Sequence, residues 1–100
     1  MTLREKQSKF VGMVVQLIEF AHEIGYELTF GDACAKTGHK NNSLHYIRLA
    51  IDLNLFKDGV YLTETKDHEP LGLYWESIGG TWGGRFNDGN HYSLEHNGVM

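Results

Sequence analysis

Two imidazoles and two carboxylates stand in two short clusters of this 100-residue chain. The first cluster opens with Ser43-Leu44-His45 and runs through Leu49-Ala50-Ile51 to Asp52. The second is Trp82-Gly83-Gly84-Arg85-Phe86-Asn87-Asp88-Gly89-Asn90-His91-Tyr92. His45, Asp52 and His91 are candidate zinc ligands, and Asp88 is placed shortly before the last of them as a candidate base. A catalytic zinc takes three protein ligands and keeps a fourth position open for water, with a base close by. That inventory points to hydrolysis.

The spacing sets a condition on the backbone. On a straight strand His45 and Asp52 would lie ~23 Å apart and on opposite faces. On a helix they would share a face but stand ~10 Å apart. Ligand atoms sit ~2 Å from zinc, so the chain must bend between the two. His45 is therefore expected at the end of a loop and Asp52 inside a strand. Asp88 and His91 belong to a turn-forming run, Asn87-Asp88-Gly89-Asn90-His91, which can aim two side chains at one point without strand alternation.

The elements that must position these groups can be read from periodicity. Thr2-Leu3-Arg4-Glu5 has the form of a capping box. Behind it Phe10, Val11, Val14, Leu17, Ile18 and Ala21 recur at helical spacing, and Gly25 suits the end of that helix. Tyr26, Leu28 and Phe30 alternate with polar residues, as in a strand with one buried face. Residues 31–42 read as a loop carrying Lys36, His39 and Lys40. An Ile- and Leu-rich strand is expected from about Tyr46 to Phe56, turning through Lys57-Asp58-Gly59 into Val60-Tyr61-Leu62. A second helix is expected from near Asp67, with Pro70 in its first turn, buried Leu71, Tyr74, Trp75 and Ile78, and Gly79-Gly80 at its end. A last strand is expected around His91 to Glu95. The predicted class is α+β, a mainly antiparallel sheet packed with two principal helices, with the zinc site in a cleft over the sheet.

The two clusters together resemble the zinc peptidases that include D-alanyl-D-alanine carboxypeptidases and phage L-alanyl-D-glutamate endopeptidases. The family pattern S-x-H-x-x-G-x-A-x-D is met by Ser43, His45, Ala50 and Asp52, and the later W-G-x-x-F-x-D-x-x-H-F by Trp82, Gly83, Phe86, Asp88 and His91, with Tyr92 as the final aromatic. The likeness spans roughly residues 26–96 and is nearest to short phage cell-wall lysis enzymes. It implies zinc on His45, Asp52 and His91, with Asp88 as general base and acid. It implies cleavage of the peptidoglycan stem peptide, with L-Ala–D-Glu as the bond, D-Ala-D-Ala carboxypeptidase activity being the alternative. Ser43, Arg48, Trp82, Arg85 and Tyr92 are the candidate substrate contacts. Two positions depart from the pattern. Arg48 stands in place of its Gly, so local packing or backbone geometry is expected to differ, and Cys34-Ala35 stands where the family often has Tyr-Arg. Loss of that donor can cost ~3 kcal/mol of transition-state stabilisation. Arg48, Arg85, Lys36 and Lys40 are the cations left to replace it, and a weakened, zinc-containing peptidoglycan-binding protein is the competing reading.

Composition narrows the classes. The net charge is −4, from nine Lys and Arg against thirteen Asp and Glu, with no basic stripe of the kind nucleic acid requires. A metal nuclease built on His45, Asn90 and His91 is disfavoured on that ground. Cys34 is the sole cysteine, so no internal disulfide can form. No stretch approaches the ~20 apolar residues of a membrane span, and Met1 to Lys9, polar and mixed in charge, does not read as a secretion signal, so none is expected. The expectation is one zinc peptidase domain over residues 1–100, monomeric, without a separate wall-binding domain. It would be made in the cytoplasm and reach the wall once the inner membrane is permeabilised. His22, His39 and His68 are expected to be solvated or loop residues, and His96 structural or exposed.

Overall fold

The capping box forms as expected. In a computed structural model, which describes residues 1–31 and 44–99 without the side chains of His45 and Tyr46, Thr2 Oγ1 accepts the Glu5 N–H at 3.1 Å and the Glu5 carboxylate accepts the Thr2 N–H at 2.8 Å. Two otherwise open donors are satisfied there, and helix α1 runs Leu3–Glu23. Phe10, Met13, Val14, Leu17 and Ala21 form its buried stripe. Val11, expected on that stripe, is 62% exposed, and Met13 takes the inward position.

Strand β1, Glu27–Phe30, pairs antiparallel with β2, Ala50–Lys57. Tyr26, just before β1, and Leu28 within it pack against the core, but Phe30, at the strand's end, is 65% exposed. β2 starts later than the apolar run implied. Residues Leu44–Ile47 form a 3-10 turn closed by the Leu49 N–H on the Leu44 carbonyl at 2.9 Å, and the strand begins only at Ala50. Between them Arg48 has φ 59°. That is the left-handed region, which glycine adopts freely and other residues adopt at ~1–2 kcal/mol. Arg48 therefore takes a backbone conformation that a glycine would adopt without this cost.

Asp58 and Gly59 both have positive φ, 52° and 77°, which matches the twist of a two-residue hairpin. They return the chain into β3, Val60–Leu62, on the C-terminal half of β2. A 3-10 turn, Thr65–His68, leads into α2, Glu69–Ser77, with Pro70 in its first turn. Beyond the 3-10 turns already described, β4, Thr81–Trp82, and the 3-10 turn Gly83–Phe86 were also not foreseen. The chain then forms β5, His91–Ser93. The sheet order is β1-β2-β5-β4, with β3 also on β2 and every pairing antiparallel. The α+β class is as expected.

On β2, Ile51, Leu53 and Leu55 face α1 and α2, while Asp52, Asn54 and Phe56 lie on the other face and are only partly buried. Trp75 is central to the apolar side. It meets Phe10 edge-on at 5.7 Å and Tyr92 edge-on at 6.0 Å. Its indole N–H is shared by the carbonyls of Ser93 at 2.9 Å and Thr81 at 3.1 Å.

His68 corrects the solvated reading made from its position near a helix start. It is 3% exposed, and its Nδ1 lies 2.8 Å from the Tyr92 hydroxyl. Burial pulls its pKa down to about 4, against a smaller upward pull from Asp67. The fold therefore favours neutral His68, while the unfolded chain takes up a proton below pH ~6.5. Its stabilising contribution is complete above pH ~6.5 and declines as pH falls towards about 4, by up to ~1.4 kcal/mol per pH unit. Urea midpoints measured from pH 7 to 4.5 should show this slope, and His68→Gln should lose it. A second prediction concerns Arg48: Arg48→Gly should raise stability by ~0.5–1 kcal/mol in the same assay, because it relieves left-handed strain.

Candidate metal centre

Register brings two of the expected ligands together. Asp52 and His91 are direct partners where β2 meets β5, so their side chains leave the sheet on one face. His91 Nδ1 lies 3.5 Å from Asp52 Oδ1, with both side chains largely shielded, at 14% and 19% exposure. A charge-assisted N–H···O bond would be shorter, ~2.7–2.9 Å. Two ligand atoms ~2.0–2.1 Å from one tetrahedral zinc lie ~3.4 Å apart, close to the observed separation. One imidazole nitrogen and one carboxylate oxygen are a donor set suited to that ion, so the pair fits two corners of a zinc site.

His45 is the third residue of the sequence pattern. Its backbone lies in the 3-10 turn Leu44–Ile47, which is the bend the spacing required, followed by Arg48 and then by Asp52 in the strand. Its side chain is not among those described, and among the described residues no group of three His, Cys, Asp or Glu forms. The turn is anchored by Gln7 of α1, whose amide donates to the Ile47 carbonyl at 2.8 Å. Ser43, and with it Cys34, Ala35, Lys36, His39 and Lys40, lies outside the described residues.

Asp88 sits in the loop that delivers His91. The Asp88 N–H donates to the Gly83 carbonyl at 2.9 Å, and its own carbonyl accepts the His91 N–H at 3.1 Å. The buried Trp82 indole donates to the Gly89 carbonyl at 2.8 Å, tying the middle of the loop to β4. Gly83 must lack a side chain here, because a Cβ would collide with the Asp88 carbonyl and come within 2.7 Å of His91 Cβ. On the far side Thr65 Oγ1 accepts the Gly89 N–H at 3.2 Å, and a Cβ on Gly89 would reach Thr65 Cα at 2.6 Å. The Asp88 side chain remains exposed, at the rim of a pocket of about 170 Å³ between the end of β3 and the start of β5. Asn54, Tyr61, Thr63 and Thr65 also line that pocket. Thr65 was missed because its partner is far along the chain and no local pattern marks it.

The remaining substrate-contact candidates separate by face. Tyr92 is fully buried with its hydroxyl on His68, so it acts in packing and not at the cleft. Trp82, 3% exposed, also packs inward, opposite Tyr92. Arg85 binds both oxygens of the Glu76 carboxylate, at 2.9 and 2.7 Å, and lies over the Trp82 ring. The pairing lowers the pKa of Glu76 and raises that of Arg85. Arg48 is exposed on the bend. His96 is partly buried and approaches Lys6 Nζ through Nδ1 at 3.1 Å, and His22 is exposed.

A family model described as D-alanyl-D-alanine carboxypeptidase matches residues 37–94, more than half of the chain. The chain belongs to this family. The match covers both clusters, from before Ser43 to beyond Tyr92, and makes this a peptidase-family domain. A search of curated proteins returned no match.

If the Trp82 bond positions the His91 loop, Trp82→Phe should leave the Gly89 carbonyl without its buried donor and cost ~1–3 kcal/mol of stability. It should also weaken zinc binding, measured by competition with a chromogenic chelator under conditions where circular dichroism shows the fold intact. Unchanged affinity in the folded variant would remove the indole from the positioning of His91.

Proposed function

We propose that the protein is a zinc-dependent peptidase that hydrolyses a peptide bond of the bacterial peptidoglycan stem. The observation that carries this is the Asp52–His91 pair, set by strand register at a separation suited to two ligands of one zinc. His45, Asp52 and His91 would hold the ion, which supplies an acidified water and a Lewis acid for the scissile carbonyl. Asp88 would take the water proton on its exposed carboxylate and deliver it to the leaving amine. The neighbouring pocket between β3 and β5 offers room beside that carboxylate for substrate. An Asp at position 88, where other members carry Glu, favours L-Ala–D-Glu as the bond; the role that goes with it is phage-type lysis of the wall by a monomer. D-Ala-D-Ala carboxypeptidase action is the alternative specificity.

One observation favours a second reading, a weakened enzyme or zinc-containing wall-binding protein. Ala35 stands where the family often has its arginine, and the Arg85 guanidinium is engaged by Glu76. Such a protein would bind sacculi without releasing new amino groups.

Purified protein should contain about one zinc per chain, and a chelator should abolish activity. Asp88→Ala should keep its zinc and lose ~10²–10⁴-fold in turnover, the range a positioned general base supplies. Mass spectrometry of sacculus digests gives the bond directly: stem peptides beginning at D-Glu support the endopeptidase, loss of one terminal alanine supports the carboxypeptidase. Full activity of Asp88→Ala would overturn its assignment as base.

A further inference from the structure

Asn54 lies two residues beyond Asp52 on β2, so its side chain leaves the same face of the sheet one strand repeat, ~7 Å, from the candidate ligand. Its amide is held from both sides. Nδ2 donates to Thr29 Oγ1 of β1 at 3.2 Å, and Oδ1 accepts from the Tyr61 hydroxyl of β3 at 3.5 Å. Tyr61 is itself braced by the Phe56 ring, with centroids 5.1 Å apart. A primary amide has two N–H donors and two acceptor lone pairs. The two clamps use one of each and leave one N–H and one lone pair. Both clamping groups are hydroxyls, able to donate or accept, so the remainder is the same whichever way round the amide sits. Asn54 also lines the pocket whose rim carries Asp88.

The remaining N–H can donate to a main-chain carbonyl and the remaining lone pair can accept a main-chain N–H; one trans peptide group points these two opposite ways, so the complement is a stretch of peptide main chain and not a single peptide group. We propose that Asn54 is a substrate-binding residue that pairs with main-chain N–H and C=O groups of the substrate adjacent to the bond being cut. The proposal rests on the peptidase reading for the position of that bond. Thr29 and Tyr61 are then positioning residues, which spare the amide the loss of rotamer freedom on binding. Neither the sequence pattern nor the metal chemistry calls for any of the three.

The test is calorimetric titration of the zinc-loaded protein with a stem tetrapeptide and with an analogue whose amide next to the L-Ala–D-Glu bond is an ester. Amine release is followed in parallel. In the natural protein the ester should raise Kd about tenfold, the effect of losing one well-made hydrogen bond. In Asn54→Ala the amide peptide should bind about tenfold more weakly, and the ester should cost less than about twofold further. Zinc content should be unchanged, and Asn54→Asp, close in shape but unable to donate, should also bind weakly. Equal ester penalties in the natural protein and Asn54→Ala, or no peptide binding at all, would overturn the proposal. Binding with the expected ester pattern but no amine release would support Asn54 and defeat the peptidase reading.

Discussion

The candidate site depends on the register between β2 and β5. Asp52 faces His91 across the ladder, Ile51 faces Tyr92, and Ala50 faces Ser93. Side chains alternate along a strand, so a slip of one residue would turn His91 into the core and Tyr92 out into the cleft. Three hydrogen bonds resist that slip. The Leu53 N–H bonds the Asn90 carbonyl at 2.9 Å and the Leu94 N–H bonds the Leu49 carbonyl at 2.9 Å, closing the ladder just beyond both ends of the pairing. The Trp75 indole holds the Ser93 carbonyl from the apolar side. A core tryptophan thus fixes the sheet position of a polar pair it does not touch.

The loop before β5 shows why the second cluster has its residue types. An exposed carboxylate and a shielded imidazole must be delivered by a chain that turns sharply between two strands. Trp82 supplies the buried donor, Gly83 the close approach to Asp88 and His91, and Gly89 the space for Thr65. Asn87 adds a left-handed residue at φ 60°, a conformation asparagine tolerates better than most. What reads in sequence as a motif around a base and a ligand is, in large part, the packing of the loop that presents them.

Much of this was legible from periodicity. The capping box, the α1 stripe apart from Val11, the Asp58-Gly59 hairpin and the Pro70 start of α2 follow from local chemistry and are found where local chemistry put them. Errors arose where a partner distant in sequence decides. His68 looked solvated because its environment is made by Tyr92, and its burial cannot be read from Asp67 or Glu69. The apolar run before Asp52 looked like continuous strand, but Leu44 packs in the core from a 3-10 turn and Leu49 follows a left-handed residue, so apolarity there reports burial and not conformation. Tyr92 was avoidable. Once His91 is placed on the open face of a strand, its neighbour must face inward.

The sheet divides the labour between its faces, and the division explains how so short a chain can hold a polar site. On one face Trp75, Tyr92, Trp82 and Leu53 are buried among the helices, and each polar atom of the three aromatics finds a partner: Ser93 and Thr81 carbonyls, His68, and the Gly89 carbonyl. Unmet, each would cost ~1–3 kcal/mol, a large part of a small domain's stability. On the other face Asp52, His91 and Asn54 contribute little to the core, so their types are free to be set by chemistry. The two sets share only backbone. Substitutions on the apolar face therefore reach the candidate site through strand position and loop placement, while substitutions on the open face alter that site's own side chains with little effect on the fold.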